Sequence, residues 1–455
     1  MAGKDNTLNM TEGSALALIV KFSIPMLIGN LFQQFYNLVD SIMVGRLVGS
    51  DAFAAVGASS SITFLFFALC NGIGSGGGII TSQFFGGDDT KRVKRCITNT
   101  GYIMFVFPLI VGITAFFLSD PLLRLLDTPS EIFKDALIYV RIMCIGIVFV
   151  SLYNYISSML RALGDSKTPL YFLIVSSFIN IGLDAFCIVV LKMGVVGAAV
   201  ATLISQFLAG IGCFIFAIKT NPYFKLSKED MTFDKDITLK TIKLGIPLSL
   251  QFSLIAISCM ALQKVVNSFG PVAVAAFTAT SRVEQIIHQP YQTISAALST
   301  FCGQNYGAKK GKRVIKGFHQ SLIIMALFSL IMLPVMQFGG RTIVSIFVEK
   351  EAVIEMGAKA LSITSYFYVF LGLIYVARGV LNGLSDAFFA LLNGIVEVLG
   401  RFIVPVVLTS IAAIGLWGIW WSVGVVWLVS GVTAWMRYRG YTKRKLKPLM
   451  ESEKN

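Results

Sequence analysis

Long apolar runs separated by short polar stretches dominate this chain. A helix needs about 20 predominantly apolar residues to cross a bilayer. Twelve runs reach that length: 16–44, 53–82, 97–119, 132–160, 168–191, 195–218, 238–267, 272–302, 315–338, 356–382, 387–411 and 415–436. Several exceed it, which predicts tilted helices or helices that extend past the lipid. The pattern predicts an all-α polytopic membrane protein with twelve transmembrane helices.

The pattern also repeats. Gln83-Phe-Phe-Gly86 followed by Lys91-Arg92-Val93 returns as Gln304-Asn-Tyr-Gly307 followed by Lys312-Arg313-Val314, 221 residues later. At the same offset Ala162-Leu-Gly-Asp165 returns as Gly383-Leu-Ser-Asp386, and Lys21-Phe-Ser-Ile-Pro25 returns one residue further on as Lys243-Leu-Gly-Ile-Pro247. Six spans per repeat bring the chain back to the side it left, so the two halves are parallel repeats. The expected organisation is an N-terminal six-helix lobe over 1–219, a linker over 220–236, a C-terminal six-helix lobe over 237–437 and a basic tail over 438–455.

Composition agrees. Charged residues make up 14% of the 455, against about 25% in soluble domains, and mean hydropathy is +0.76. The net charge of +14 could suggest nucleic acid, but its lysines and arginines fall in short loops and the tail. They cluster at Lys91–Arg95, in the linker region Lys219–Lys243, at Lys309–Lys316 and from Arg437 to Lys447, all on one side of the predicted spans. The opposite side has a scatter that includes Arg46, Arg124, Lys134, Lys192 and Arg341. Basic loops stay inside, so both termini are expected in the cytoplasm of a cell-membrane protein that binds no nucleic acid. The first fifteen residues, with Asp5 and Glu12, show no signal-peptide pattern, and the first span is expected to serve for targeting. Seven cysteines without CxxC spacing read as free, buried thiols.

Charges inside the spans are the candidate chemistry. Asn180 and Asp184 lie four residues apart in an apolar run, one turn apart on one helix face. A central aspartate costs about 2.5–3.5 kcal/mol on insertion scales, a cost that a cavity, a partner or a bound ion offsets. In the second half, Glu284 and His288 share a face, as do Glu397 and Arg401, for which an ion pair is the expectation. Arg378 and Lys264 also fall inside spans. Gly72-Ile-Gly-Ser-Gly-Gly77 fits GxGxxG but lacks the strand–turn–helix context of a nucleotide loop, and close helix packing is expected there. No nucleophile–base set or metal motif suggests an enzyme. Pro25, Pro108, Pro247, Pro290, Pro334 and Pro405 fall inside spans and can kink them.

The chain resembles the multidrug and toxic compound extrusion (MATE) family over nearly its whole length. The resemblance is carried by Gln33-Gln-Phe-Tyr-Asn-Leu-Val-Asp40 with Val44-Gly45-Arg46, Ala54-Ala55-Val56-Gly57, Gln83-Phe-Phe-Gly86, Arg161 through Pro169, Asn180 through Asp184, and Gln304-Asn-Tyr-Gly307. It implies a monomeric secondary antiporter with no cofactor. Such a protein exports cationic or amphipathic drugs and toxins in exchange for H⁺ or Na⁺, by alternating access between two lobes. By motif, the resemblance implies Asp40 and Asp184 as cation-coupling residues, with Asn180, Asn154 and Thr202 as polar neighbours and Tyr139 as a weaker match. Na⁺, if used, would engage Asp40, Asn180 and Asp184. Substrate or second-lobe candidates are Tyr139, Glu284, His288, Arg378, Glu397 and Arg401. The basic residues within the second half keep a second reading open, a flippase for lipid-linked precursors from the same superfamily.

Overall fold

A computed structural model describes residues 6–452, so Asp5 and the last three residues of the tail lie outside the described residues. Helices account for nearly all the described chain. In order they are α1 (Ala15–Met43), α2 (Ser50–Gly86), α3 (Thr90–Leu125), α4 (Ser130–Ile145), α5 (Ile147–Ala162), α6 (Lys167–Ala185) and α7 (Gly194–Thr220). The second half follows with α8 (Lys235–Asn267), α9 (Pro271–Gly307), α10 (Gly311–Ser345), α11 (Glu351–Ser365), α12 (Tyr368–Gly383), α13 (Ala387–Ser410), α14 (Gly418–Tyr441) and the short α15 (Lys447–Ser452).

Among the described residues, nine helices are long and apolar enough to span a membrane, and the count reaches eleven with each bent pair taken as one span. The remaining expected span is α9. It is continuous over 37 residues, but Arg282, Glu284 and His288 make it too polar to qualify on composition. Two expected spans are not continuous rods. The 132–160 run is split into α4 and α5, bent by 47°, and the 356–382 run into α11 and α12, bent by 53°. No proline lies at either break. Close side-chain packing occupies both bends instead.

The helices form two compact units. The first holds the chain up to Asn9 and Ile24–Phe252, and the second holds Met10–Ser23 and the chain from Ser253 onward. In the first, α2 packs against α3, α4 and α5, while α7 covers α5 and α6. In the second, α9 takes the place of α2, against α10, α11 and α12, and α14 covers α12 and α13.

The glycine run of α2 is helical throughout. A Cβ on Gly72 would meet the backbone nitrogen of Ser249 at 2.2 Å, one on Gly76 the nitrogen of Gly245 at 2.8 Å, and one on Gly77 the Thr100 side chain at 2.3 Å. The run lets α3 and α8 approach the α2 backbone, and it is not a phosphate loop. The repeated aspartates start helices. Asp165 Oδ1 accepts hydrogen bonds from the amides of Lys167 and Thr168 at 3.0 and 2.9 Å. Asp386 accepts from the Phe389 amide at 3.3 Å and is held by Arg437 at 2.7 Å. All seven cysteines are free and six are buried; Cys259 is exposed, contrary to expectation.

Candidate functional site

The site in the first unit begins with two helices that meet. Asp40 projects from α1 and Asp184 from α6, and their carboxyl groups lie within hydrogen-bonding reach of each other. Asp184 is fully buried and Asn180, one turn earlier, is 1% exposed; Asp40 is half-buried. Among the described residues, Asp40 Oδ1, both Asp184 oxygens and both amide atoms of Asn180 are buried without a hydrogen-bond partner. Asn37, one turn before Asp40, is exposed and does not satisfy it.

Such an arrangement is costly as it stands. Buried polar groups are nearly always paired, and two ionised carboxylates in contact repel in a medium of low dielectric. A shared proton removes the repulsion, and so does a small cation between the oxygens. Hard cations take oxygen ligands, and two carboxylates with the Asn180 carbonyl supply them.

Both carboxylate helices change character just past the acid. Val44–Val48 and Phe186–Val190 are π-helical, and the two turns pack on each other. π-Turns loosen the backbone and recur at functional sites. Here they widen the end of each helix within a turn or two of its aspartate.

The surrounding wall includes residues that the sequence reading passed over. Tyr36, one turn before Asp40 on the same face of α1, has its hydroxyl within reach of Gln206 of α7. Both are largely buried, at 9% and 8% exposure. The i,i+4 spacing of Tyr36 and Asp40, and a lone glutamine in the apolar run of α7, were the available signals. Tyr139 of α4 is buried beside Val44, Val195 and Ala198, within electrostatic reach of both aspartates. Asn154 and Thr202 are half-buried. Neither hydrogen-bonds a carboxylate; Thr202 offers only its backbone carbonyl, to the Ser205 hydroxyl at 2.9 Å.

The second unit has a different centre. Arg378 donates to Glu397 at 2.6 Å and to Asn393 Oδ1 at 2.6 and 3.1 Å. Both charged side chains are under 10% exposed. The expected Glu397–Arg401 pair does not form. Helix spacing allows it, but Arg378 of α12 reaches Glu397 with one nitrogen while Asn393 anchors its guanidinium, and Arg401 turns to the Cys259 sulfur at 2.9 Å. Glu284 and His288 share a face of α9 without bonding each other. The Glu284 carboxyl sits beside Thr364 and feels Arg401, while the His288 ring packs on Trp427 and Tyr375 at 5.6 and 6.3 Å. Two carboxylates are matched here by two guanidinium groups. Among the described residues, the first unit sets no guanidinium against its acidic pair. By the repeat, Asn180 corresponds to Arg401 and Asp184 to Pro405.

Comparison with known proteins follows the same two-part division. A family model described as MatE matches residues 25–186 and again 247–407. The chain is 34% identical over 434 residues to the probable multidrug resistance protein YpnP of Bacillus subtilis (strain 168), covering 95% of this chain and 96% of that one. It is 25% identical to the multidrug export protein MepA of Staphylococcus aureus (strain N315), over 92% of each. Among solved structures, an outward-facing multidrug resistance MATE family transporter of the MOP superfamily matches with a TM-score of 0.88 at 22% identity, over 98% of this chain and 99% of that one. A MOP superfamily transporter from Pyrococcus furiosus, described as having a binding pocket of reverse polarity, matches with the same score and coverage. At these identities the structural likeness establishes the fold.

Proposed function

The chain belongs to the MatE family, and from that premise we propose that it is a secondary active antiporter that exports cationic or amphipathic compounds in exchange for H⁺ or Na⁺. It is a multi-pass membrane protein and not an enzyme. The observation that carries the coupling proposal is the contact of Asp40 with Asp184, whose buried oxygens have no hydrogen-bond partner among the described residues. Such a pair accepts one small cation and must be resolvated or neutralised when the cation leaves.

The coupling follows from differential affinity. A ligand shifts a conformational equilibrium only as far as it binds the two states differently. The pair lies between α1 and α6, so a relative shift of these helices changes the distance between the carboxyls and hence their hold on the ion. Alternating access between the lobes would use this change to admit the ion from one side and release it on the other. One charge crossing about 100 mV yields about 2.3 kcal/mol, enough to sustain roughly a fifty-fold gradient of a neutral substrate. Names of the relatives support organic compounds as cargo, and the loop charges support cytoplasmic termini.

The test is dye efflux from proteoliposomes under pH and Na⁺ gradients imposed separately. Efflux driven by at least one gradient, and lost when that gradient is collapsed, is the expected result. Efflux indifferent to both, or selective binding of lipid-linked sugars over cationic dyes, would overturn the antiporter reading, the latter in favour of a flippase.

A further inference from the structure

The two units differ sharply at the corner where the second and third long helices of each repeat meet. In the first unit the corner is self-neutralised. Asp89 caps α3 through the Arg92 amide at 3.0 Å and approaches the Arg92 guanidinium at 3.5 Å. Lys94 lies 3.8 Å from Asp230 and Arg95 3.7 Å from Asp234, both supplied by the linker.

The second unit keeps the backbone and inverts the charge. Asp88 has φ 60° and its counterpart Lys309 has φ 59°. Asp89 is replaced by Lys310, which caps α10 with no side-chain hydrogen bond to its amides; its Nζ instead holds the Thr11 carbonyl at 3.0 Å. A lysine at a helix N-terminus opposes the helix dipole. A local rule broken without an internal compensation points to something external.

More positive charge is fixed on top of this corner. Leu446 is fully buried, and its carbonyl and the Met450 side chain lie 3.2 Å from where a Cβ on Gly311 would stand. The tail is thereby docked on the start of α10, with Lys443, Arg444, Lys445 and Lys447 all exposed. Among the described residues none of these four, nor Lys309 or Lys316, is in an ion pair. The acids at this end are few. Glu12 acts on Arg313, Asp386 is taken by Arg437, and Glu451 is in no ion pair among the described residues.

An apolar track leads to the same charges. On α14, Leu428, Val429, Val432, Trp435 and Met436 are exposed at the spacing of a single helix face. Arg439 continues that face, its guanidinium 4.1 Å from the Trp435 ring, and Lys443 follows one turn on. A greasy stripe ending in an indole and unpaired cations matches acyl chains below a negative headgroup; a free phosphate would have no use for the stripe.

We propose that the α9–α10 corner and the docked tail of the second unit form a binding site for an anionic phospholipid, with the acyl chains along α14 and the phosphate met by the exposed cations of Arg439, the tail and Lys309. Juxtamembrane clusters of four to eight basic residues bind anionic lipid.

The experiment uses the full-length protein in detergent, supplied with equal amounts of dioleoyl phosphatidylglycerol and dioleoyl phosphatidylcholine, and reads retained lipid by native mass spectrometry. Thermal stabilisation by each lipid and by inorganic phosphate is measured in parallel. Phosphatidylglycerol is expected to be retained preferentially and to raise the melting midpoint. A combined variant, Lys309→Gln, Lys443→Gln, Arg444→Gln, Lys445→Gln and Lys447→Gln, is expected to lose at least about tenfold of that retention, since each basic residue facing an anionic surface contributes about fivefold. The same five positions changed to arginine, wherever lysine stands, keep the charge and should keep the lipid, which separates loss of the site from loss of the fold. Equal retention of phosphatidylcholine, undiminished retention by the glutamine variant, or equal stabilisation by inorganic phosphate would overturn the proposal. The readout needs no transport, so it stands or falls independently of the antiporter reading.

Discussion

Leu203 fills the space beside Gly146: its two methyl carbons lie 2.2 Å from where a Cβ on that glycine would sit. The second unit contains the same contact with the sizes exchanged. There Phe367 stands at the bend and its ring lies 2.2 Å from the corresponding point of Gly424, each residue 221 positions beyond its counterpart. One large and one small residue occupy each bend, and Tyr139 stands on α4 before the first of them.

Gly146→Ala is therefore expected to cost about 1–3 kcal/mol by overpacking, read as a lower melting midpoint of the purified protein. Adding Leu203→Ala should recover more than half of the drop, because contacting sites are not additive. Losses that simply add would show that the contact does not set the bend.

Asp40→Asn and Asp184→Asn are each expected to abolish ion-driven dye efflux while the protein still inserts and purifies normally. The double variant should be no worse than either single one, since the two acids act as a unit. Tyr36→Phe removes only the hydroxyl that reaches toward Gln206, and it should shift the ion concentration for half-maximal efflux more than the maximal rate. Wild-type efflux from both asparagine variants would refute the site.

The Arg378–Glu397 pair predicts a different pattern in the second unit. Removing either partner leaves a buried charge and should destabilise by about 3–5 kcal/mol, whereas Arg378→Met with Glu397→Leu should be close to neutral. Melting midpoints of the three variants check this. A double variant as damaged as the singles would show that Asn393 and the neighbouring rings depend on the charges themselves.

In the linker, the Ser227 amide and hydroxyl donate to Asp230 at 2.9 and 2.7 Å. With Lys94 nearby, they hold its carboxyl below the usual carboxylate range. A lowered folded value means that the contribution is present above about pH 4 and is lost as pH falls through that lowered value. Hydrogen exchange at the Ser227 amide, read as a rate relative to the intrinsic rate at each pH, should stay slow at neutral pH and lose that protection only below about pH 4. Asp230→Asn should make it fast at neutral pH as well.

The sequence by itself determined what depends on neighbours along the chain. The apolar runs, the repeat at 221 residues, the shared face of Asn180 and Asp184, and the packing role of Gly72–Gly77 were all legible, because helix period and bilayer thickness act locally. The bends were not, since 132–160 and 356–382 each read as one long, mainly apolar run and the break comes from Leu203 and Gly424 on other helices.

Tertiary structure alone decided which charges meet. Asp40 and Asp184 come from helices far apart in sequence, and Tyr36 finds Gln206 on a third. Spacing offered Arg401 to Glu397, yet the carboxylate is held by Arg378. Choice of partner depends on how each helix is rotated and at what depth it crosses its neighbour, and the order of residues within a single helix contains neither quantity.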